Sequence, residues 1–102
     1  MSNILVSEMR KPPVSLIFSA LSDPLRLQIV KTLLEEKELP CGHCPASRSK
    51  STMSHHFKVL IEAGIVKKRE DGKTHHLSVR TEELERALPG ILAVIKKAKA
   101  PF

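Results

Sequence analysis

Residues 49–64 constrain the fold of this chain more than any other segment. Ser49 is a suitable N-cap, because its hydroxyl can accept a hydrogen bond from the first turn of a helix, and Gly64 stands where a left-handed residue commonly ends one. At about 100° per residue, the helix between them has one polar and one apolar side. The polar side carries Ser51, Ser54, His55, Lys58 and Glu62, and the apolar side carries Met53, Phe57, Leu60 and Ile61. We therefore predict a helix over residues 49–63 that packs by one face.

A basic hairpin is predicted directly after this helix. Two segments that favour strands, 65–70 and 73–80, flank Asp71-Gly72, which is the strongest short hairpin signal in a sequence. The flanks carry Lys67, Lys68, Arg69 and Lys73. We expect a two-stranded wing over residues 65–80 with a basic surface.

Two helices are predicted on the N-terminal side of the central helix and the wing. Apolar residues recur at helical spacing from Val14 to Leu21, and again from Leu27 to Leu34 in a second helix that reaches about Glu36. Asp23-Pro24 supplies the second helix with an N-cap and with a proline at its first position, where a missing N–H costs little. Two prolines and a glycine between Leu39 and Pro45 predict a loop or one distorted turn instead.

The C-terminal part is predicted to form two more helices. Thr81 is a suitable cap for the start of a short helix, and the negative charges of Glu82 and Glu83 in its first turn are stabilised by the helix dipole. Pro89-Gly90 breaks that helix, and the last helix, assigned to residues 89–100, places Ile91, Val94, Ile95 and Ala98 on one face.

The resulting order of elements is helix, helix, distorted turn, helix, hairpin, helix, helix. It predicts a mostly α fold with a small two-stranded β-hairpin, a winged helix-turn-helix. A chain of 102 residues supports one domain, residues 1–102, with residues 1–13 as an N-terminal arm. So small a domain buries a limited part of its surface and often recruits a second copy of itself.

Charge and composition narrow the function classes. Lys and Arg outnumber Asp and Glu by 17 to 11, so the net charge of +6 favours a polyanionic partner. The sequence has no apolar run long enough to span a membrane and no secretory segment, which predicts a cytoplasmic protein without a membrane partner. It also has no Ser/His/Asp arrangement, phosphate-binding glycine loop or paired carboxylate site. We therefore expect a protein that is not an enzyme.

The sequence resembles the ArsR family of bacterial metal-responsive repressors. The resemblance runs from Ala20-Leu21-Ser22-Asp23-Pro24-Leu25-Arg26-Leu27 through residues 49–66 into the Asp71-Gly72 hairpin, and covers about residues 14–98. In the central block the hydroxyl positions, the histidine and the leucine register all match together. The resemblance implies a homodimer, joined by its N- and C-terminal helices, that binds an operator in double-stranded DNA as a repressor and releases it when an inducer binds.

The predicted DNA contacts fall into two groups. Free N–H groups at a helix N-terminus favour anions, so the first turn of the central helix and the wing are expected to bind backbone phosphates. Short side chains further along that helix are expected to reach base edges in the major groove. The phosphate contacts are Lys50, Ser51, Thr52, Arg69 and Lys73, and the base contacts are Ser54, His55 and Lys58. His56 lies between the two faces, which predicts a hydrogen-bonded structural histidine.

Two alternatives to this interpretation remain open. The polar face of the central helix also suits an ordinary solvated surface. A winged helix whose basic face binds an acidic protein partner would show the same residues without meeting DNA.

Cys41 and Cys44 allow three interpretations: thiolates for a soft metal or metalloid, a reversible disulfide, or small buried side chains. Two thiols fall short of the four ligands of a closed zinc site, and an oxidoreductase with this Cys-x-x-Cys spacing would need a βαβ pattern that is missing here. The family normally holds a Cys-x-Cys pair inside a helix, and its second site needs Asp and His ligands that residues 91–102 lack. By analogy with the family, the pair would bind a thiophilic inducer such as arsenite. No cofactor is required, and a DNA-binding regulator without metal sensing is the alternative.

Overall fold

The computed structural model describes residues 13–36, 39–40, 50–72, 74–99 and 101–102. Five helices and three strands occur there, in an order that confirms the predicted winged helix-turn-helix. They are α1 (Val14–Leu21), α2 (Pro24–Glu36), β1 (Leu39–Pro40), α3 (Lys50–Glu62), β2 (Val66–Asp71), β3 (Thr74–Val79), α4 (Thr81–Ala87) and α5 (Ile91–Lys97). Within the described ranges, no helix has both the length and the apolar character that crossing a bilayer demands.

The hydrophobic core draws one or more fully buried side chains from each of the five helices. Its members include Ile17, Ile29, Leu60, Leu84 and Ile95, together with Leu77 of β3. Burying a side chain of this size stabilises a fold by about 1.5 to 3 kcal/mol relative to leaving it in water. The core therefore holds α3 and the sheet in fixed positions, and these two elements carry the predicted site.

Asp23 caps α2, as the sequence predicts. Its Oδ1 accepts hydrogen bonds from the backbone N–H of Leu25 at 2.8 Å and from that of Arg26 at 3.3 Å. Burial raises the pKa of Asp23, but these two N–H groups, with the Arg26 guanidinium, outweigh burial and hold the pKa below its ordinary value of 3.8. The ionised carboxylate is thus the form that the folded chain stabilises.

We expect the Asp23→Ala variant to be less stable than the wild type by about 0.5 to 2 kcal/mol at neutral pH, because two N–H groups of α2 lose their acceptor. A carboxyl group whose pKa is lower in the folded chain than in the unfolded chain stabilises the fold at pH values above its unfolded-state pKa. This contribution is lost as the pH falls through the folded-state pKa. The difference between the two proteins should therefore shrink at about pH 3. Urea denaturation at both pH values measures it. An equal deficit at the two pH values would contradict this account of Asp23.

The sheet contains the predicted hairpin and one strand more. β2 and β3 pair antiparallel from Val66↔Val79 to Asp71↔Thr74, which confirms the wing. β1 adds to the other edge of β3, with Leu39 opposite Leu77 and Pro40 opposite His76, giving the order β1-β3-β2. The prediction of a loop over the whole of Leu39–Pro45 is therefore wrong for its first two residues, and residues 41–45 lie outside the described ranges. A proline without an N–H is tolerated on an edge strand, and two residues are too few to show a strand period.

The two C-terminal helices begin and end differently from the prediction. Thr81 is the first residue of α4, not its cap; the N-cap position is Arg80, which makes no side-chain capping bond. α5 spans only Ile91–Lys97, shorter than the predicted 89–100, because Gly90 adopts a left-handed φ of +92° before it and Ala98 is extended after it. The Gly90 N–H donates to the Glu85 carboxylate at 2.6 Å, a bond that helps to hold the break between α4 and α5.

Candidate nucleic-acid interface

The two faces of α3 are divided as the sequence predicts. Met53 and Leu60 are buried, and Phe57 and Ile61 are half-buried against the core. The opposite face is exposed; its residues are Ser51, Thr52, Ser54, His55, Lys58 and Glu62. This face presents hydroxyls, an imidazole and an ammonium group to the outside, so it is free of the core and available to a partner.

The end of α3 fixes the direction of the wing. Gly64 has a φ of +80°, a conformation that glycine adopts without a steric penalty. The N–H of Ile65 donates to the Leu60 carbonyl and that of Gly64 to the Ile61 carbonyl, both at 3.0 Å, which is the Schellman arrangement. Ile65 is fully buried, and its carbonyl accepts from the Arg80 N–H at 2.8 Å. The helix and the strands of the wing therefore form one connected unit.

The exposed face of α3 and the wing lie on the same side of the molecule. They enclose an open groove of about 300 Å³. Its lining residues are Ser54, Phe57, Lys58, Ile61 and Glu62 of α3 and Lys68 and Leu77 of the wing. Two ammonium groups and one carboxylate stand beside this groove: Lys58 and Glu62 on the helix and Lys68 on strand β2. A polyanion that contacts the helix would consequently meet the wing as well.

The wing is basic, but one of its cations and one of its imidazoles have acidic neighbours. Lys67, Lys68 and Arg69 are exposed along β2. A nitrogen of the Arg69 guanidinium lies 3.7 Å from a carboxylate oxygen of Asp71, and the His75 imidazole lies 4.0 Å from the Glu70 carboxylate. Exposed pairs of this kind contribute about 0 to 1 kcal/mol. A phosphate can therefore replace the Asp71 carboxylate beside Arg69 at small cost.

His56 is a buried structural histidine, which confirms its prediction. The imidazole is 9% exposed, and its Nδ1 lies 3.2 Å from Nη1 of Arg26. Because a guanidinium only donates, Nδ1 must accept, and the ring proton belongs on Nε2. The Nε of Arg26 also donates to the Ala20 carbonyl at 2.7 Å, and Asp23 lies 3.9 Å from the guanidinium. One side chain thus links the end of α1, the start of α2 and the buried face of α3.

Sequence reasoning did not identify the role of Arg26. The residue is 30 positions from His56 in the chain, and the local sequence around either residue does not indicate the contact between them. A signal was nevertheless present, because a histidine on the buried side of an amphipathic helix needs a hydrogen-bond partner from another element.

Several predicted site residues lie outside the described ranges. Cys41, Cys44 and Lys73 are among them, and so is the predicted cap Ser49. Lys50 begins α3, but its side chain is not described. Within the described ranges, no three His, Cys, Asp or Glu side chains come close enough together to hold a metal ion.

The sequence matches proteins that are named as transcriptional regulators. A model of a helix-turn-helix domain matches residues 21–69. The HTH-type transcriptional regulator YceK of Bacillus subtilis is 43% identical over 82 residues, which cover 78% of this chain and 82% of YceK. A homologue of the cadmium resistance transcriptional regulatory protein CadC from Staphylococcus aureus is 36% identical over 77 residues, or 72% of this chain. The chain spans only 62% of that protein.

The fold is also shared with a solved structure. An ArsR family transcriptional regulator, RHA00566, superposes with a TM-score of 0.61 at 19% sequence identity. The match covers 89% of this chain and the whole of that one. At this identity the likeness concerns the arrangement of the helices and the wing.

Proposed function

Since the chain belongs to the ArsR family of winged-helix transcriptional regulators, we propose that it binds a specific operator as a homodimeric repressor. The observation that carries this proposal is the exposed face of α3. That face holds Ser54, His55 and Lys58 on the same side as the basic wing, while the other side of the helix is packed in the core. A helix of this kind fits the major groove of DNA.

In the proposed complex, the contacts divide by their distance from the N-terminus of α3. Lys50, Ser51 and Thr52 hold backbone phosphates, where the positive end of the helix dipole adds to the attraction. Ser54, His55 and Lys58 read base edges in the major groove. Arg69 and Lys73 of the wing bind phosphates beside the helix, adding affinity without sequence preference.

Apolar side chains on the outside of the terminal helices support a homodimer. Val14 and Phe18 are four residues apart on α1 and therefore share one face of it, and both are exposed. Val94 of α5 is 64% exposed, among the most exposed large apolar side chains in the described ranges. A second copy that covers these side chains would remove them from water. Two copies of α3 would then read half-sites about 34 Å apart on one face of the DNA.

His55 tests the proposed reading of bases. We expect the His55→Ala variant to lose about 1 to 3 kcal/mol of preference for the operator in each half-site, because a contact to a base edge disappears. Its stability should change by less than about 0.5 kcal/mol, since the side chain is exposed. Selecting operators from random DNA and then measuring competition by gel shift gives the preference.

The matched control is His75→Ala, which removes a half-buried wing imidazole instead. It should leave the selected sequence unchanged. A wild-type protein that selects no sequence, or a His55→Ala variant with an intact preference, would favour a module that binds an acidic protein partner.

The proposed inducer is a thiol-reactive compound or a soft metal or metalloid ion that binds Cys41 and Cys44. Support comes from the chemistry of the two thiols and from the similarity to CadC. The segment that carries them, residues 41–49, joins β1 to α3, and β1 is paired with the wing strand β3. A ligand that changes the conformation of this segment would therefore act on both the wing and α3. A coupling free energy of about 1 to 3 kcal/mol between inducer binding and operator binding is sufficient for release.

The thiols are tested by operator release. We expect arsenite or a cadmium salt to lower the operator affinity of the wild type by about 5- to 150-fold. The Cys41→Ser and Cys44→Ser variants should bind the operator normally and resist release, because a hydroxyl is a poor ligand for soft ions. Gel-shift titration with each salt measures both. Release from both variants at wild-type concentrations would remove the thiols from the sensing mechanism.

A further inference from the structure

A second groove lies at the base of the wing, apart from the α3 face. It has a volume of about 350 Å³ and shares no lining residue with the groove beside α3. Its apolar part comes from Leu33 and Leu34 of α2 and from Leu92 of α5. Its polar part comes from Lys67 and Ser78 on the wing, Thr81 of α4 and Lys96 of α5. The volume is at the lower end of the range for small-molecule sites.

The charges of this groove are of one sign. Lys67 and Lys96 contribute two ammonium groups, and among the described residues no carboxylate lines the groove. The cation closest along α2, Lys31, is already engaged: its Nζ donates to the Glu35 carboxylate at 3.1 Å and to the Lys96 carbonyl at 2.8 Å. The Glu35 charge is thereby balanced by its own neighbour. An anion in the groove would face two ammonium groups and two hydroxyl donors.

We propose that this groove binds a small organic carboxylate with an apolar body. The leucine side would cover the hydrocarbon part, and the lysines and hydroxyls would hold the carboxylate. Inorganic anions would leave the apolar side in water, and neutral compounds would leave the ammonium groups without a counter-charge. An amphipathic anion therefore matches both the apolar side and the cationic side of the lining.

Occupancy of the groove would also act on DNA binding, a consequence that rests on the proposed function. The ligand would contact α5, which carries part of the proposed dimer surface, and Lys67, which belongs to the basic surface of the wing. A carboxylate beside Lys67 lowers the positive potential of the wing and so weakens its long-range attraction for DNA. The carboxylate would therefore lower operator affinity.

Hexanoate is a suitable probe, with hexanol and inorganic phosphate as its neutral and inorganic counterparts. In ¹⁵N-labelled protein we expect hexanoate to shift the amide signals of Lys67, Ser78 and Leu92 in a saturable manner, with a dissociation constant at least tenfold lower than that of hexanol or phosphate. The double variant Lys67→Gln, Lys96→Gln should weaken hexanoate binding at least tenfold. Lys68→Gln is the matched control, because Lys68 is the next residue of β2 and lines the other groove.

Three results would overturn the proposal: equal binding of hexanol, equal binding of phosphate, or equal weakening by Lys68→Gln. These titrations contain no DNA, so their outcome is independent of the proposed operator binding. A separate gel shift with hexanoate tests the link to the operator. Hexanoate that binds the groove but leaves operator affinity unchanged would overturn that link, whereas a protein that selects no operator at all would overturn the proposed function instead.

Discussion

Raising the salt concentration from about 50 to about 200 mM is expected to lower the operator affinity about a thousandfold. In the proposed complex each protomer offers three cations to phosphates, Lys50, Arg69 and Lys73, so a dimer would neutralise about six phosphates and release their counterions. The logarithm of the association constant should fall against the logarithm of salt concentration with a slope of about −5. Fluorescence anisotropy with a labelled operator at four or five salt concentrations gives the slope.

The Arg69→Gln variant refines this test. Each lost phosphate contact reduces the slope by about 0.9, so a dimer with two substituted wings should show a slope smaller by about 2. The Arg86→Gln variant, which removes the same charge from the exposed end of α4, is the control and should keep the wild-type slope. A flat salt response in the wild type would count against DNA as the partner of the basic face.

Separating the two protomers is expected to weaken operator binding at least a hundredfold, because the second half-site would no longer be held at a high effective concentration. The double variant Phe18→Glu, Val94→Glu places carboxylates on the apolar surface proposed for the dimer. Phe18 is 56% and Val94 64% exposed, so neither change removes a core side chain. Native mass spectrometry should show a monomer, and far-ultraviolet circular dichroism should show unchanged helix content.

Gln28→Glu adds a carboxylate to an exposed position of α2 outside the apolar surface and serves as the control. It should remain dimeric and keep wild-type affinity. A Phe18→Glu, Val94→Glu variant that remains dimeric would place the protomer contact elsewhere. One that becomes monomeric yet binds the full operator with wild-type affinity would show that the two half-sites act independently.

Local chemistry made most of the fold predictable. The α3 helix has a clear apolar stripe and a glycine stop, the hairpin has Asp71-Gly72, and α2 has Asp23 as its cap; each signal lies within a few residues of the feature that it produces. The third strand was missed because Leu39 and Pro40 become a strand only through pairing with β3, more than 30 residues away. The length of α5 depends on the backbone angles of Gly90 and Ala98, which no periodicity reveals.

The exposed face of α3 was predictable to the same extent. Helical periodicity shows which side chains of α3 share its exposed face, and it marked His56 as a residue of a different kind. It does not show which distant side chain completes a buried polar group, so Arg26 was missed. It also does not predict a groove such as that between Lys67 and Lys96, whose walls come from five elements. Contacts within one helix follow from sequence, whereas contacts between elements follow from tertiary packing.

Arg26 has a consequence for how a signal could cross the molecule. Its guanidinium makes hydrogen bonds to the last turn of α1 and to the inner face of α3 at the same time, so one side chain links these two helices. We expect a displacement that begins at α1 to tilt α3 as a rigid body, without rearranging the side chains that are proposed to contact bases. The tilt would then change the preferred number of base pairs between the two half-sites of an operator. The preferred sequence of each half-site would be the same before and after the displacement.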